Sequence, residues 1–537
     1  MGNTISYQES PVELSLGDRG TIRGLQFDNK SRRFTGVPYA LPPTGEHRWR
    51  KPRPLPASYA YSDGDGGAYD ATKFRAACPQ KVWSVVKPDG GKNTYSEDCL
   101  FVNIWTPVPK AGEEDAKWPV KLWIHGGWFQ IGDASHEPGM DATELISTGG
   151  LNAVVVAIGY RLNVFGFLAG EDLLDESHGE AGGNFGLWDQ RVAAEWVRDN
   201  IARFGGDPLN ITLAGRSAGA YSVESQMLYD FRRPAGDGGS LYRRVFLDSN
   251  AIPAQPKSLA DVRGQFDELC ALFNIDARLP SDRKLAVLRE KSAEELLQAI
   301  PRLENHTFRP VTDDVFVHSG MVEYLQSRAF ADEFKKRGYK MLIGEVLNEE
   351  TLYASYNPPT EPTLEALRLQ ISNYYAPDVT DRAIQQYKLP ESDKLSDWQE
   401  AFGLIVADGQ VRAPSRALVK ALVDNGVDIR DVWRYQIAYR LSFIDEKVAP
   451  ASYGVSHSMD RPVWNFAITH GPTPAERVLM EEWIGTLVAF VNGSDTYDHG
   501  TRTVEEMKVM TPEGTIEIRP DHRWEELVSL SKILAGN

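Results

Sequence analysis

The sequence predicts an α/β protein: a mostly parallel central sheet covered by helices, with a small antiparallel sheet at the N-terminal end. Three observations predict it. The runs "VKLWI" (120–124) and "NAVVVAIGY" (152–160) are apolar without alternation, as in strands buried on both faces. The segment "LWDQRVAAEWVRDNIARFG" (187–205) instead spaces Ala193, Trp196, Val197, Ile201 and Phe204 along one helical face. Strand-like and helix-like segments then alternate, which requires crossover connections and therefore parallel pairing.

In chain order, "VELSL", "GTIRGLQF" and "SRRFTGV" are short strands separated by turn residues, the source of the antiparallel sheet. Pro38 to Pro56 is too rich in proline for a helix or a central strand. After 120–124, 152–160 and 187–205 come the strand "NITLA" (210–214), a helix from "AGAYSVESQMLY", and the strand "RRVFLD" (243–248). Later strands are "YKMLIG" (339–344) and "VWRYQIAY" (432–439). The rest of about 255–425 is mainly helical and is expected to cap the sheet edge. No repeat or linker divides the 537 residues, so a single domain over 1–537 is expected.

The formal charge of −17 argues against a nucleic-acid partner. No apolar run is long enough to span a membrane. The N-terminus has no apolar leader, and it matches the myristoylation pattern at Gly2 and Ser6. The expected compartment is cytoplasmic, with a membrane association if Gly2 is acylated, or extracellular if a leader was removed. Sequons at Asn29, Asn305 and Asn492 matter only in that last case. The three cysteines lack metal-ligand spacing, and no cofactor is expected. Cys78 and Cys99 flank a turn-rich segment and could close a loop, whereas Cys270 lies on an amphipathic helix as a buried free thiol.

One motif carries chemistry. In "NITLAGRSAGAYSV" (210–223), Gly215-Arg216-Ser217-Ala218-Gly219 falls between a strand and a helix. A turn that tight needs small residues two positions either side of the serine, and it lifts the hydroxyl to a helix N-terminus that favours negative charge. A serine hydroxyl needs a base, and the base needs an orienting acid. Of the histidines after Ser217 (306, 318, 457, 470, 499 and 522), His457 lies in the small-residue loop "SYGVSHSMDRPVW" after a core strand. Acid candidates Glu345, Glu349 and Glu350 follow the strand at 339–344. Donors for an oxyanion are offered by "WIHGGWFQIG" (123–132), where Gly126 and Gly127 follow a strand.

Taken together these segments resemble the type-B carboxylesterase/lipase family, the cholinesterase-like branch of the α/β-hydrolases. The resemblance rests on "RFTGVPYALPPTGEHRW", "SEDCLFVNIWTP", "YRLNVFGFL", the long block from Gly182 to Ala220, and "GVSHSMD", all in the family's order. It implies an α/β-hydrolase fold and a small-molecule ester substrate cleaved through an acyl-enzyme. It also implies Ser217 as nucleophile, His457 as base, and Glu349 as acid. Amides of Gly127, Trp128 and Ala218 would form the oxyanion hole, and Cys78 and Cys99 a disulfide. The same acyl-enzyme would serve an acyltransferase. The family's non-catalytic adhesion members lack a triad residue, whereas all three positions are filled here.

Two positions depart from the family. Trp128 stands where glycine or alanine is usual, which keeps the backbone donor and would narrow the acyl pocket if the indole faced it. Arg216 replaces an acid and is expected to pair with Asp460, three residues after His457. Arg216, Asp460 and Phe129 are thus expected around the pocket.

Overall fold

The uninterrupted apolar runs become the centre of the sheet. The computed structural model describes residues 6–81, 94–113, 116–134, 141–233, 240–447 and 449–536; Gly2 of the acylation pattern lies outside them. Among the described residues thirteen strands form one sheet. They are β1 (Glu9–Ser15), β2 (Thr21–Phe27), β3 (Ser31–Pro38), β4 (Tyr69–Asp70), β5 (Phe101–Pro107), β6 (Trp118–Ile124) and β7 (Val154–Ile158). Then follow β8 (Gly206–Arg216), β9 (Arg244–Asp248), β10 (Lys340–Val346), β11 (Val432–Ile437), β12 (Glu506–Met510) and β13 (Ile516–Pro520).

The spatial order is β1-β2-β3-β5-β7-β6-β8-β9-β10-β11-β12-β13, with β4 beside β2. From β7 to β12 every pairing is parallel. From β1 to β7 the main path is antiparallel, and β13 closes the far edge antiparallel to β12. The N-terminal antiparallel strands are therefore continuous with the main sheet. The join is β5, which pairs β3 on one side and β7 on the other.

Side-chain alternation splits each central strand between two cores. Val120, Leu122, Val154, Val156, Leu213 and Val245 face one core, with Leu187 and Val197 of the Phe185–Asn200 helix and Val223 of the Ala218–Arg232 helix. Trp123, Val155, Ala157, Ala214 and Phe246 face the other, under Met480, Trp483 and Leu487 of the Pro474–Asn492 helix. That helix starts with a capping box, Thr473 and Glu476 each satisfying the other's backbone N–H. On the first side Arg161, just past β7, forms a buried bidentate pair with Asp189 of the Phe185–Asn200 helix at 2.8 and 2.7 Å.

Residues 255–425 are helical apart from β10 and connecting turns. The Leu364–Ser372 and Leu395–Ala407 helices build a third core, in which Leu367, Ile371, Phe402 and Val406 pack with Trp128 and Tyr353. At Gly403 the latter helix approaches so closely that a Cβ would lie 2.5 Å from the carbonyl of Glu350. The helical segment thus roofs the C-terminal ends of the parallel strands, where open α/β sheets present their sites. Among the described residues no helix is long and apolar enough to cross a membrane.

Candidate active site

Ser217 stands between the end of β8 and the Ala218–Arg232 helix with φ 57° and ψ −124°, outside the regions ordinary residues prefer. Packing enforces the turn. A Cβ on Gly215 would lie 2.4 Å from the Gly219 carbonyl, and one on Gly219 would lie 2.1 Å from the Ile124 carbonyl. The Ser217 amide donates to the Asp248 carbonyl at 2.7 Å, tying the turn to the end of β9. Its side chain stands at the N-cap of the helix, only 5% exposed.

The three candidate acids separate by partner. Glu349 is fully buried; one carboxylate oxygen accepts the Val346 amide at 2.9 Å, and the other is hydrogen-bonded to Nδ1 of His457. Glu350 instead pairs with Arg412, and Glu345 with the buried Arg416. The Glu349 bond calls for a proton on His457 Nδ1, which leaves Nε2 with a lone pair. Nε2 is buried and has no hydrogen-bond partner among the described residues.

The acid and histidine loops brace each other. Asn348 donates its amide to the Val455 carbonyl at 2.9 Å, and its side-chain oxygen accepts the Val455 amide at 3.1 Å. The Thr351 hydroxyl lies 2.7 Å from that of Ser456 and 2.9 Å from the Tyr453 carbonyl. Tyr353, one helical turn beyond Glu349, sets its ring 5.0 Å from the His457 ring and its hydroxyl in hydrogen-bonding reach of Ser217. Burial first, then the neighbouring Glu349, holds the Tyr353 phenol well above its ordinary value, so it stays a donor. Sequence reading missed Asn348, Thr351 and Tyr353 as parts of the site, although all lie in the segment that supplied the acid.

Gly126 and Gly127 bring the end of β6 against the serine turn. A Cβ on Gly126 would meet the Arg216 carbonyl at 2.6 Å and Ser217 Cβ at 3.0 Å. Gly127, Trp128 and Phe129 then run with φ of 107°, 56° and 66°, three consecutive left-handed residues. Asn163 holds this loop: its amide donates to the Phe129 carbonyl at 2.7 Å and its side chain to that of Gln130 at 3.1 Å. The Trp128 indole stacks on Tyr356 at 3.6 Å and meets Tyr353 edge-on at 6.3 Å. It anchors the helical roof to the loop, while Ala218 begins the helix on the opposite side of Ser217.

Arg216 and Asp460 both lie buried beside Asp248, and among the described residues both Asp460 carboxylate oxygens lack a hydrogen-bond donor. Asp460 faces Asp248. Burial and this second carboxyl hold the Asp248 carboxyl well above the usual range, while Arg216 pulls it the other way. A proton held on Asp248 lets two buried carboxyls share one place without two negative charges. The hydroxyl of Tyr435 donates to Asp248 at 2.9 Å. Asp248 is brought in by β9, which pairs it with Arg216 at the end of β8.

The implied disulfide is not formed in this structure. Cys78 and Cys99 are free, buried thiols in mutual hydrogen-bonding reach, and the Cys78 sulfur accepts the Leu162 amide at 3.2 Å. Cys270 is a free buried thiol, its pKa pushed up to about 12 by burial.

Fold and site define an α/β-hydrolase with a buried Ser, His and Glu constellation. The model of the carboxylesterase family matches residues 8–526, and the chain belongs to that family. It is 36% identical to an uncharacterised esterase/lipase of Schizosaccharomyces pombe, over 98% of this chain and 97% of the relative. It is 37% identical to a carboxylic ester hydrolase of Gibberella moniliformis over the same shares. A solved thermophilic PNB esterase superposes with a TM-score of 0.75 at 23% identity, covering 96% of this chain and 99% of that one.

The partners of the acids predict that Glu349→Gln lowers kcat by about 10³–10⁴-fold, because an amide favours the wrong imidazole tautomer. Glu350→Gln, which loses only a partly exposed ion pair, should cost less than about tenfold. Steady-state kinetics on one ester checks the order.

The carboxyl pair predicts a pH effect of definite sign. A carboxyl whose native pKa is raised contributes stability that is complete below its unfolded value, about 3.9, and is lost as pH rises toward the native value. Asp248→Asn removes that dependence and keeps an acceptor for Tyr435. Its melting temperature should therefore fall less between pH 5 and pH 8 than that of the parent protein. A steeper fall would contradict the shared proton.

Proposed function

We propose that the chain hydrolyses carboxylic esters through an acyl-enzyme on Ser217. His457 Nε2 takes the hydroxyl proton as Ser217 attacks the ester carbonyl. Glu349 holds the ring and stabilises the imidazolium that forms. The carbonyl oxygen becomes an oxyanion on the amides of Gly127, Trp128 and Ala218. The imidazolium then protonates the departing alcohol. Water, deprotonated by the same nitrogen, cleaves the acyl-enzyme and restores Ser217.

The observation that carries this reading is the buried Glu349–His457 bond, which leaves Nε2 as the basic nitrogen of a ring packed on Tyr353, whose hydroxyl reaches the serine at the strand-to-helix turn. In this arrangement the serine hydroxyl lies with Tyr353, so turning it toward Nε2 opens the reaction. Placing the oxyanion donors on a loop locked by Asn163 avoids reorganisation as charge develops.

An organophosphate probe should label one serine stoichiometrically, Ser217, as read by peptide mass spectrometry. Ser217→Ala should abolish both the labelling and the hydrolysis of p-nitrophenyl esters. Labelling of another serine in the folded protein would refute the mechanism.

A further inference from the structure

A pocket lies under the helical roof, lined in part by Tyr221, Lys257, Arg309, Tyr374 and Gln410. Tyr221 and Tyr374 connect it to the serine site. Tyr221 is one helical turn beyond Ser217, whose carbonyl accepts its amide at 3.0 Å. The Tyr221 ring meets Phe129 edge-on at 5.6 Å, and Phe129 continues the glycine loop. The Tyr374 hydroxyl lies near the Trp128 indole.

No aspartate or glutamate lines this cavity. Its two cations are held by other means. The Arg309 guanidinium lies 5.6, 5.9 and 5.0 Å from the rings of Phe129, Tyr221 and Tyr374. Among the described residues it makes one hydrogen bond, to Gln410 at 2.8 Å, and no ion pair. The Lys257 ammonium reaches Asn305 at 3.4 Å and likewise has no ion-pair partner among those residues. Asp261 acts on it only from a distance, its carboxylate being turned to the Ser258 amide and hydroxyl at 2.8 Å. Burial first, with Arg309 adding to it and Asp261 opposing, lowers the Lys257 pKa to about 8.

Two mutually repelling cations in a partly desolvated cavity are costly unless an anion joins them. In a chain with 17 more acidic than basic side chains, carboxylates to neutralise them are plentiful, yet none is placed there. The guanidinium keeps donors in the fork geometry that suits a carboxylate. Aromatic walls and proline would pack a short apolar chain between that carboxylate and the ester.

We propose that this cavity is an anion subsite, in which Arg309 and Lys257 bind the free carboxylate of a dicarboxylic acid hemi-ester whose ester group lies at Ser217. The proposal deepens the esterase reading and rests on it for the ester end alone. The carboxylate end is a binding site in its own right.

The test compares p-nitrophenyl hemi-esters of linear dicarboxylic acids with p-nitrophenyl esters of monocarboxylic acids of equal chain length. At one or more lengths the hemi-ester should have the higher kcat/KM. That preference should fall about tenfold or more in Arg309→Gln and in Lys257→Gln. Should Arg309→Gln fail to fold, having lost its aromatic contacts, Lys257→Gln carries the test. Adipate binding, measured by calorimetry on the same proteins, reads the subsite without turnover. Preference for the neutral ester at every length, an unchanged preference in the variants, or absence of adipate binding would overturn the proposal. Adipate binding that depends on Arg309 and Lys257, in a protein that cleaves none of the esters, would support the subsite and refute the esterase mechanism.

Discussion

Two parallel strand ends, β6 and β8, approach each other with no room for a side chain between them. Gly126, Gly215 and Gly219 occupy that contact, where a Cβ would sit 2.6, 2.4 and 2.1 Å from the nearest carbonyl oxygen. The contact fixes how the Gly126–Gly127 loop faces the serine turn, because Gly126 and Ser217 meet across it. Any larger residue would push the strands apart and separate the proposed nucleophile from the proposed oxyanion donors. The backbone strain this creates is local and visible: Ser217, Trp128 and Phe129 all carry positive φ. Such conformations cost on the order of 1–3 kcal/mol each and persist only where the surroundings enforce them. The surroundings here are Asn163 on the loop's carbonyls and Tyr356 stacked on Trp128.

The second half of the site is built on loops, which would be too loose for catalysis alone. It is stiffened by making the loops partners. Asn348 pairs backbone and side chain with Val455, and Thr351 joins Ser456. Glu349 and His457 thus sit on two loops that behave as a short continuation of the sheet. Glu349 has both oxygens occupied, by the Val346 amide and by His457, so its carboxylate cannot turn away from the imidazole without breaking a buried hydrogen bond.

Much of this was legible in the sequence where local pattern and three-dimensional role coincide. Strands β6 and β7 are apolar throughout because both faces are covered, and the glycines around Ser217 announce a turn because nothing else fits. Glu349 was one of three neighbours by sequence alone. Only the resemblance selected it, and the structure separates it by giving Glu345 and Glu350 arginine partners. What was not legible depends on contacts between distant segments. Asp248 reaches Asp460 because β9 lies beside β8, a neighbour relation that no spacing reveals. Arg309 and Lys257 lie in irregular loops, where a basic residue reads as surface until a cavity is seen around it. The short strands β12 and β13 carried too few residues for a periodicity to stand out.

The charges around the site are divided in a way that bears on the proposed reaction. Beneath the serine turn lie Asp248 and Asp460, with Arg216 acting on Asp248 and the buried Lys121 drawn to it. Arg216 and Lys121 face the two carboxyls, so the acidic charge of this layer is compensated. In the proposed acyl transfer Glu349 would then be the carboxylate that acts on the imidazolium, and its bond to Nδ1 would give that stabilisation a direction. Across the site, Arg309 and Lys257 leave the cavity positive. An anionic substrate end held there would stand away from the carboxylates beneath the turn. The polarity of the site therefore runs from a compensated acidic floor to a cationic cavity, and it disfavours a cationic group in that cavity by simple repulsion.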